Sequence, residues 1–120
     1  MGVLEDFLKA NSITEIESTL ADMTGNARGK FYPTRKFLSE EEGRLPETVL
    51  VQSVTGDWAY NHYDIVDARD RDMILVPDTN TLRLVPWADE PTAQVINDCY
   101  DSDGNPHPLA SRTILRHVLA

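Results

Sequence analysis

The segment GDWAYNHYD, residues 56 to 64, places a carboxylate among aromatic rings. Its acid and rings are Asp57, Trp58, Tyr60 and Tyr63, and the stretch has neither helical nor strand periodicity, which is typical of an exposed functional loop. A carboxylate attracts a cation by charge, and each ring face adds about 0.5 to 2 kcal/mol of cation–π attraction. The loop therefore predicts a place for an ammonium group. The alternative is that Trp58 and Tyr63 only anchor the loop to the sheet.

A second segment, DMTGNARGKFYP at residues 22 to 33, resembles a phosphate-binding loop at first sight. A Walker loop needs the pattern G-x-x-x-x-G-K-[ST], because its amides wrap the phosphates while its hydroxyl reaches the magnesium. Here only three residues separate Gly25 from Gly29, and Phe31 stands where the hydroxyl should be. The segment is therefore not predicted to bind a nucleotide.

Metal sites built from neighbouring residues are not predicted either. Asp101, Asp103 and Gly104 match positions 3, 5 and 6 of an EF-hand loop. Positions 1 and 12 would be Cys99 and Ala110, so a hairpin or linker turn is favoured. The three histidines form no HxxxH or HExxH pair; they are His62, His107 and His117.

No nucleophile stands out. The sequence has no G-x-S-x-G elbow, and Cys99 lies in an apolar strand pattern that predicts a small core side chain. The acids near the aromatic loop are too many for a pair to be chosen by spacing; they are Asp57, Asp64, Asp67, Asp70 and Asp72.

Composition narrows the class of protein. The 120 residues predict one modest core, and the net charge of -9 disfavours nucleic acid as a partner. The single cysteine excludes an internal disulfide and fits a reducing cytoplasm. We find no leader pattern and no apolar run long enough for a membrane span, so a cytoplasmic protein without a membrane partner is predicted.

The first 33 residues predict a helix and a β-hairpin. In GVLEDFLKAN, apolar residues recur at helical spacing before a polar stop: Val3, Leu4, Phe7, Leu8 and Asn11. From Ile13 to Asp22 the pattern is that of a strand, and a TGN turn returns the chain into ARGKFYP. Gly25 and Asn26 are expected at positive φ. Arg28 and Lys30 then lie on one strand face, which we expect to be solvated.

The rest of the chain predicts more strands between two helices. A short acidic helix over about residues 34–42 is closed by Gly43 and followed by Pro46. TVLVQSV predicts a buried strand, and DMILVPD and TLRLVPW predict two strands separated by a turn at 78–80. TAQVINDCY predicts a last strand before a DSDG turn. SRTILRHVLA predicts an amphipathic helix with Ser111 as N-cap and with Ile114, Leu115 and Val118 on its apolar side.

This order of elements is typical of an α+β fold. We predict a β-grasp-like mixed sheet with one or two short helices, one of them across a face of the sheet.

Three motifs in this order resemble a known family. They are DMTGNARGKFYP, then DMILVPD with TLRLVPW, then DSDGNP with SRTILR. Together they resemble the N-terminal β-grasp domain of the glutamine synthetase superfamily, as in glutamine synthetase or γ-glutamylpolyamine synthetase, from about Ile13 to Leu119. The resemblance implies a domain over residues 1–108 and the start of a catalytic domain over 109–120.

The resemblance also implies an activity. Such an enzyme is an ATP-dependent ligase that phosphorylates the γ-carboxylate of glutamate and displaces the phosphate with ammonia or an amine. ATP, Mg or Mn, and glutamate are expected in the catalytic domain, so this chain alone is expected to hold no metal or cofactor and to be inactive. The family forms ring homo-oligomers in which the N-terminal domain completes the active site of a neighbouring subunit. By its position, Asp57 is the candidate carboxylate beside the amine, and Trp58 is a candidate substrate contact.

The sequence departs from the family at this loop. Glutamine synthetases usually carry a phenylalanine-aspartate-glycine-serine-serine run where this chain has VQSVTGD. The difference resembles the branch that joins glutamate to polyamines or other amines, or else relatives called simply glutamine synthetase. The alternative is a free-standing β-grasp module that binds a partner through a sheet edge or the aromatic loop, without catalysis.

Overall fold

The computed structural model of the protein describes residues 2–39, 43–67 and 69–120. The helices in this part of the chain are α1 (Gly2–Ala10), α2 (Thr34–Ser39) and α3 (Ser111–Leu119). The strands are β1 (Glu15–Ala21), β2 (Ala27–Pro33), β3 (Gly43–Pro46), β4 (Asp72–Leu84) and β5 (Thr92–Tyr100). Short 3₁₀ helices cover Glu47–Val51 and His62–Asp64. Among the described residues, no helix has the length and apolar character that a membrane span needs.

The five strands form one mixed sheet in the order β2-β1-β5-β4-β3. β1 and β5 run parallel, with Glu15 beside Thr92, whereas β3 and β4 are antiparallel, with Gly43 beside Leu75. The predicted α+β class with a mixed sheet is therefore confirmed.

The chain divides into two compact units, each with its own apolar cluster. The first unit draws on residues 2–19, 29–39 and 77–97. Its cluster joins α1 to β1 and β5 and contains Leu8, Ile13, Ile16, Ala93 and Val95. The second unit draws on residues 20–28, 43–67, 69–76 and 98–120. Its cluster contains Leu20, Leu45, Leu50, Met73, Leu75, Cys99 and Ala110.

Cys99 is a core side chain, as the apolar pattern predicted. The thiol is buried in the second cluster. Burial raises the pKa of the Cys99 thiol to about 11, with Asp98 adding to the rise and Arg112 opposing it. A thiol that stays protonated at neutral pH is a poor nucleophile. Packing in the core therefore explains the presence of Cys99 without a catalytic role.

Two strand predictions are wrong. The first four residues of TVLVQSV lie in the 3₁₀ helix Glu47–Val51, and the segment forms no strand, because burial of Leu50 and Val51 satisfies the apolar pattern equally well. The predicted turn at 78–80 lies inside the single strand β4. There the Asn80 amide donates to the Asp78 carboxylate, so a residue pair typical of turns bonds locally while the chain stays extended.

The helix boundaries also needed correction. α2 ends at Ser39, and residues 40–42 of the predicted helix lie outside the described residues. Gly43 and Pro46 belong to β3, a strand too short to show a sequence period. Ser111 is not the N-cap of α3, because Ala110 occupies that position and the Ser111 hydroxyl donates to the carbonyls of Ala21 and Asp22.

The predicted apolar side of α3 lies at the protein surface. Its members, Ile114, Leu115 and Val118, are all exposed. The opposite side of the helix is tied to β5, because Arg112 and Arg116 both form ion pairs with Asp98.

The β1–β2 hairpin is confirmed, and its turn is organised by a buried carboxylate. Gly25 has φ 82°, as predicted, but Asn26 is not in the positive-φ region. The side chain of Asp22 is fully buried, and its Oδ1 accepts hydrogen bonds from the Thr24 amide at 2.9 Å, the Thr24 hydroxyl at 2.7 Å and the Asn26 amide at 3.0 Å. Its Oδ2 accepts from Arg28 Nε at 2.8 Å. Arg28 is therefore a structural partner, not a solvated strand residue.

The hydrogen bonds change the acidity of Asp22. Burial opposes ionisation of the carboxylate, but donors from Thr24, Arg28 and Asn26 outweigh burial and hold the pKa of Asp22 below its ordinary value of 3.8. A lowered pKa in the folded state means that the charged form stabilises the fold. This contribution is fully present above about pH 4 and is lost as the pH falls through the folded-state pKa.

Gly29 is required by close packing between strands. A Cβ atom at this position would overlap the carbonyl oxygen of Ser18 and lie 2.9 Å from its carbonyl carbon. Main-chain atoms of a paired strand cannot move aside as a flexible side chain can. The glycine that resembled part of a phosphate loop is therefore explained by strand packing.

We predict that Asp22→Asn destabilises the chain by about 1 to 3 kcal/mol at neutral pH, because an amide removes the charge that the buried donors require. The difference in unfolding free energy between wild type and variant should shrink as the pH falls from about 5 to about 2. Urea unfolding at several pH values measures it, with the exposed Asp103→Asn as the control for charge loss. A difference that does not change with pH would contradict this account of the turn.

We predict that Gly29→Ala destabilises the chain by about 2 kcal/mol or more, since β1 or β2 must shift to admit the methyl group. Gly2→Ala is the matched control, because the nearest atom to its added Cβ is 3.9 Å away. Urea unfolding of both variants checks this expectation. Equal stability of the two variants would show that the strands separate at little cost.

Candidate functional site

The aromatic loop is closed at its base by main-chain hydrogen bonds. Gln52 and Trp58 form an isolated β-bridge, and the Ser53 amide donates to the Asp57 carbonyl at 2.7 Å. Inside this closure the Gly56 amide donates to the Ser53 carbonyl at 2.9 Å, and Gly56 has φ 86°. Glycine adopts this conformation without the strain that a side chain would add. The result is a tight turn that presents Asp57 at its end.

The Asp57 carboxylate is exposed and oriented by its neighbours. Its Oδ2 accepts a hydrogen bond from the Thr55 hydroxyl at 3.0 Å, and its amide donates to the Ser53 hydroxyl oxygen at 3.2 Å. The hydroxyls of Ser53 and Thr55 are themselves 3.1 Å apart. These contacts hold one carboxylate oxygen and leave the group open to solvent, which suits a carboxylate that meets a cation from outside.

The hairpin turn holds this loop in place. Arg28 Nη2 donates to the Ser53 carbonyl at 2.8 Å, and Asn26 Nδ2 donates to the Val54 carbonyl at 2.9 Å. Because Arg28 is also paired with the buried Asp22, its guanidinium is fixed at both ends. The segment that resembled a phosphate loop therefore positions the loop that carries Asp57. This role is not visible in the sequence, since no periodicity links residues 26–28 to residues 53–54.

The rings of the loop form a short stack around a histidine. The centroids of Trp58 and His62 are 5.0 Å apart, and those of His62 and Tyr63 are 3.9 Å apart. His62 is buried, whereas Trp58 and Tyr63 stay about half exposed and Tyr60 is fully exposed. Trp58 and Tyr63 thus contact the buried His62 and still offer ring surface to solvent. His62 was only one of three scattered histidines in the sequence, and its central place was not predicted.

Two of the other acids near the loop, Asp67 and Asp70, have structural partners. Asp67 binds Arg69 and Arg71, with its Oδ2 2.6 Å from Arg69 Nη2. Hydrogen bonds from Arg69 hold the pKa of Asp67 well below its ordinary value. The Asp70 carboxylate accepts from the Thr48 amide at 3.1 Å and so caps the 3₁₀ helix. These contacts distinguish Asp57 from Asp67 and Asp70, which spacing could not do.

The two remaining histidines, His107 and His117, lie in the second compact unit but outside the aromatic loop. His107 is buried, with Nε2 3.0 Å from Glu47 Oε2 and with Nδ1 accepting from the Leu109 amide at 3.2 Å. His117 lies in α3. Residues 2–39, 43–67 and 69–120 contain no group of three or more histidine, cysteine or acidic side chains placed to hold a metal ion.

The DSDG segment forms a hairpin turn, as predicted. Tyr100 and Pro106 form an isolated bridge, and Gly104 has φ 86°. Asp101 Oδ1 accepts from the amides of Asp103 and Asn105, each at 2.9 Å. The carboxylate that matched an EF-hand ligand therefore bonds within its own turn.

Comparison with known proteins gives sequence relatives among ligases. No family model matches the chain. The chain is 30% identical to a glutamate–isopropylamine ligase from a Pseudomonas species, over 97% of the chain and 26% of that protein. It is 28% identical to a glutamine synthetase from Methanococcus voltae, over 96% of the chain and 26% of that protein. The chain therefore spans about a quarter of the length of these relatives.

Solved structures share the fold. A structure of GmaS without ligand has a TM-score of 0.68 and 24% identity, over 99% of the chain and 25% of the other. The crystal structure of a glutamine synthase homologue has a TM-score of 0.73 and 16% identity, over 88% of the chain and 25% of the other. The chain therefore shares the fold of these solved structures. Its sequence relatives are enzymes of the glutamine synthetase superfamily, and the chain is similar to about a quarter of their length.

Proposed function

We propose that the chain is the N-terminal domain of an ATP-dependent ligase that joins glutamate to ammonia or an amine. One observation carries this proposal. The chain matches, over nearly its whole length, about a quarter of the length of enzymes that are named for such reactions. In this proposal ATP, a divalent metal ion (Mg²⁺ or Mn²⁺) and glutamate bind to a catalytic domain beyond this quarter. The protein is cytoplasmic and forms a ring of identical subunits. This chain alone is expected to be inactive.

The contribution of this domain is the acceptor side of the reaction. ATP supplies the phosphoryl group that activates the γ-carboxylate of glutamate, and the amine nitrogen then displaces phosphate. An ammonium group must lose a proton before its nitrogen can attack. We assign to Asp57 the binding of that ammonium and a share in removing the proton, in the active site of a neighbouring subunit.

The geometry of the loop supports this role for Asp57. The carboxylate is exposed, its Oδ2 is held by Thr55, and the turn behind it is fixed by Arg28 and Asn26. A carboxylate held in one position loses less entropy when a cation binds than a freely rotating one does. Trp58, whose ring is half exposed, adds a face that attracts the cation or contacts its substituent.

The acceptor in this proposal is an amine more readily than ammonia. The loop lacks the phenylalanine-aspartate-glycine-serine-serine run expected of glutamine synthetases, and its aromatic side chains offer exposed apolar surface. Three relatives with comparable coverage of the chain are named for the use of isopropylamine, a polyamine and an anilide product. An amine that carries a substituent would use both the carboxylate and the ring surface.

We predict that Asp57→Asn in the complete enzyme lowers amine-dependent turnover by at least about tenfold, because the amide neither attracts the ammonium nor accepts its proton. Steady-state kinetics with glutamate, ATP and a saturating amine measure the effect. Asp64→Asn is the matched control, since it removes the same charge from an exposed position in the same loop. Unchanged turnover in Asp57→Asn, or an equal loss in both variants, would remove Asp57 from the site.

A second candidate function is a binding module without catalysis. The strand β2 favours it, since β2 lies at one edge of the sheet and most of its residues, including Phe31, are exposed. Such a module would bind a protein partner through β2, and substitutions in β2 would abolish that binding. The ligase proposal expects instead that function is lost when Asp57 is substituted.

A further inference from the structure

Among the described residues, one buried side-chain polar atom has no hydrogen-bond partner: Nε2 of His62. The side chain is held from its other nitrogen, because Nδ1 lies 2.9 Å from the Ala59 carbonyl oxygen. A carbonyl oxygen can only accept, so Nδ1 carries the proton in this contact. In the neutral ring Nε2 is therefore an acceptor without a donor.

Stability of the domain does not explain a histidine at this position. A buried acceptor without a partner destabilises the fold, whereas an apolar ring of similar size would fill the same space without that penalty. The Ala59 carbonyl would stay satisfied, since it also accepts from the His62 amide at 3.1 Å. Phenylalanine could also keep contacts with Trp58 and Tyr63. What phenylalanine could not supply is the bond from Nδ1.

The bond from Nδ1 acts on the main chain next to Trp58. Ala59 follows Trp58 directly, and the ring of His62 lies against the ring of Trp58 at 5.0 Å. His62 thus restrains the main chain after Trp58 and also the side chain of Trp58. Asp57 precedes Trp58, and its carbonyl belongs to the closure at the base of the loop. The two residues assigned to the acceptor side are therefore held from opposite directions.

We propose that His62 is a positioning residue for the acceptor amine: its Nδ1–H bond to Ala59 and its stack with Trp58 and Tyr63 hold Trp58 half exposed beside Asp57. This inference rests on the proposed function, because it names how the same site receives its amine. His62 does not touch the amine. It sets where the amine-binding ring lies.

The first test observes Trp58 directly. The chain has two tryptophans, so the Trp87→Phe background leaves Trp58 as the sole emitter. In this background His62→Ala should raise acrylamide quenching of Trp58 toward about twofold, because Trp58 is 50% exposed and release of the ring can at most double that exposure. Val66→Ala is the control, since Val66 is buried near the loop but is not part of the ring stack, so the variant removes apolar volume alone. Quenching that is unchanged in His62→Ala, or raised equally in Val66→Ala, would overturn the proposal.

The second test separates positioning from folding in the complete enzyme. His62→Phe should keep the thermal midpoint of the wild type and raise the KM for the amine by about tenfold, because a small displacement of a binding group weakens a bound geometry. The KM for glutamate and kcat at saturating amine should stay unchanged. An unchanged KM for the amine would overturn the positioning role. So would a loss of activity that affects every kinetic constant alike and accompanies a lower thermal midpoint.

The two tests also distinguish this inference from the function beneath it. If the wild-type enzyme shows no amine-dependent turnover, the proposed function fails, and with it the role of His62 towards an amine. The quenching experiment still decides whether His62 holds Trp58. If turnover depends on Asp57 but not on His62, the function stands and the positioning role is rejected.

Discussion

The candidate site depends on the hydrogen bonds that the buried carboxylate of Asp22 accepts. A carboxylate without exposed side-chain surface is stable only if donors replace the lost water, and four donors do so here. Three of them shape the hairpin turn, and the fourth fixes Arg28, which reaches the Ser53 carbonyl. The position of the aromatic loop thus follows from the hydrogen bonds that satisfy one buried charge.

The main chain beside Asp22 joins further elements of the same unit. The Met23 amide donates to the Leu50 carbonyl at 3.1 Å, in the 3₁₀ helix Glu47–Val51 that precedes the aromatic loop. The Ser111 hydroxyl donates to the Asp22 carbonyl at 3.2 Å, at the start of α3. A turn that looked like a ligand loop in the sequence is therefore a structural junction. Its glycines are explained by a positive φ at Gly25 and by strand packing at Gly29.

Sequence patterns predicted those elements that depend on neighbouring residues. The helix α1, the hairpin and β5 follow from local period and turn chemistry. The 3₁₀ helix at Glu47–Val51 and the unbroken β4 did not, because burial and local side-chain bonds decided them. In the candidate site, charge and ring composition single out the aromatic loop, and the family resemblance then singles out Asp57 and Trp58 within it. The roles of Arg28 and His62 depend on contacts across 25 residues and on a stack of rings, which no local pattern contains.

The central claim is that this domain serves an enzyme that joins glutamate to an amine. The most direct test is to measure ADP release by the complete protein with ATP, glutamate and a panel of amines that includes ammonia, an alkylamine, an arylamine and a polyamine. The account predicts ADP release that requires both glutamate and an amine, with a substituted amine preferred to ammonia. Release that is independent of the amine, or no release with any member of the panel, would contradict it.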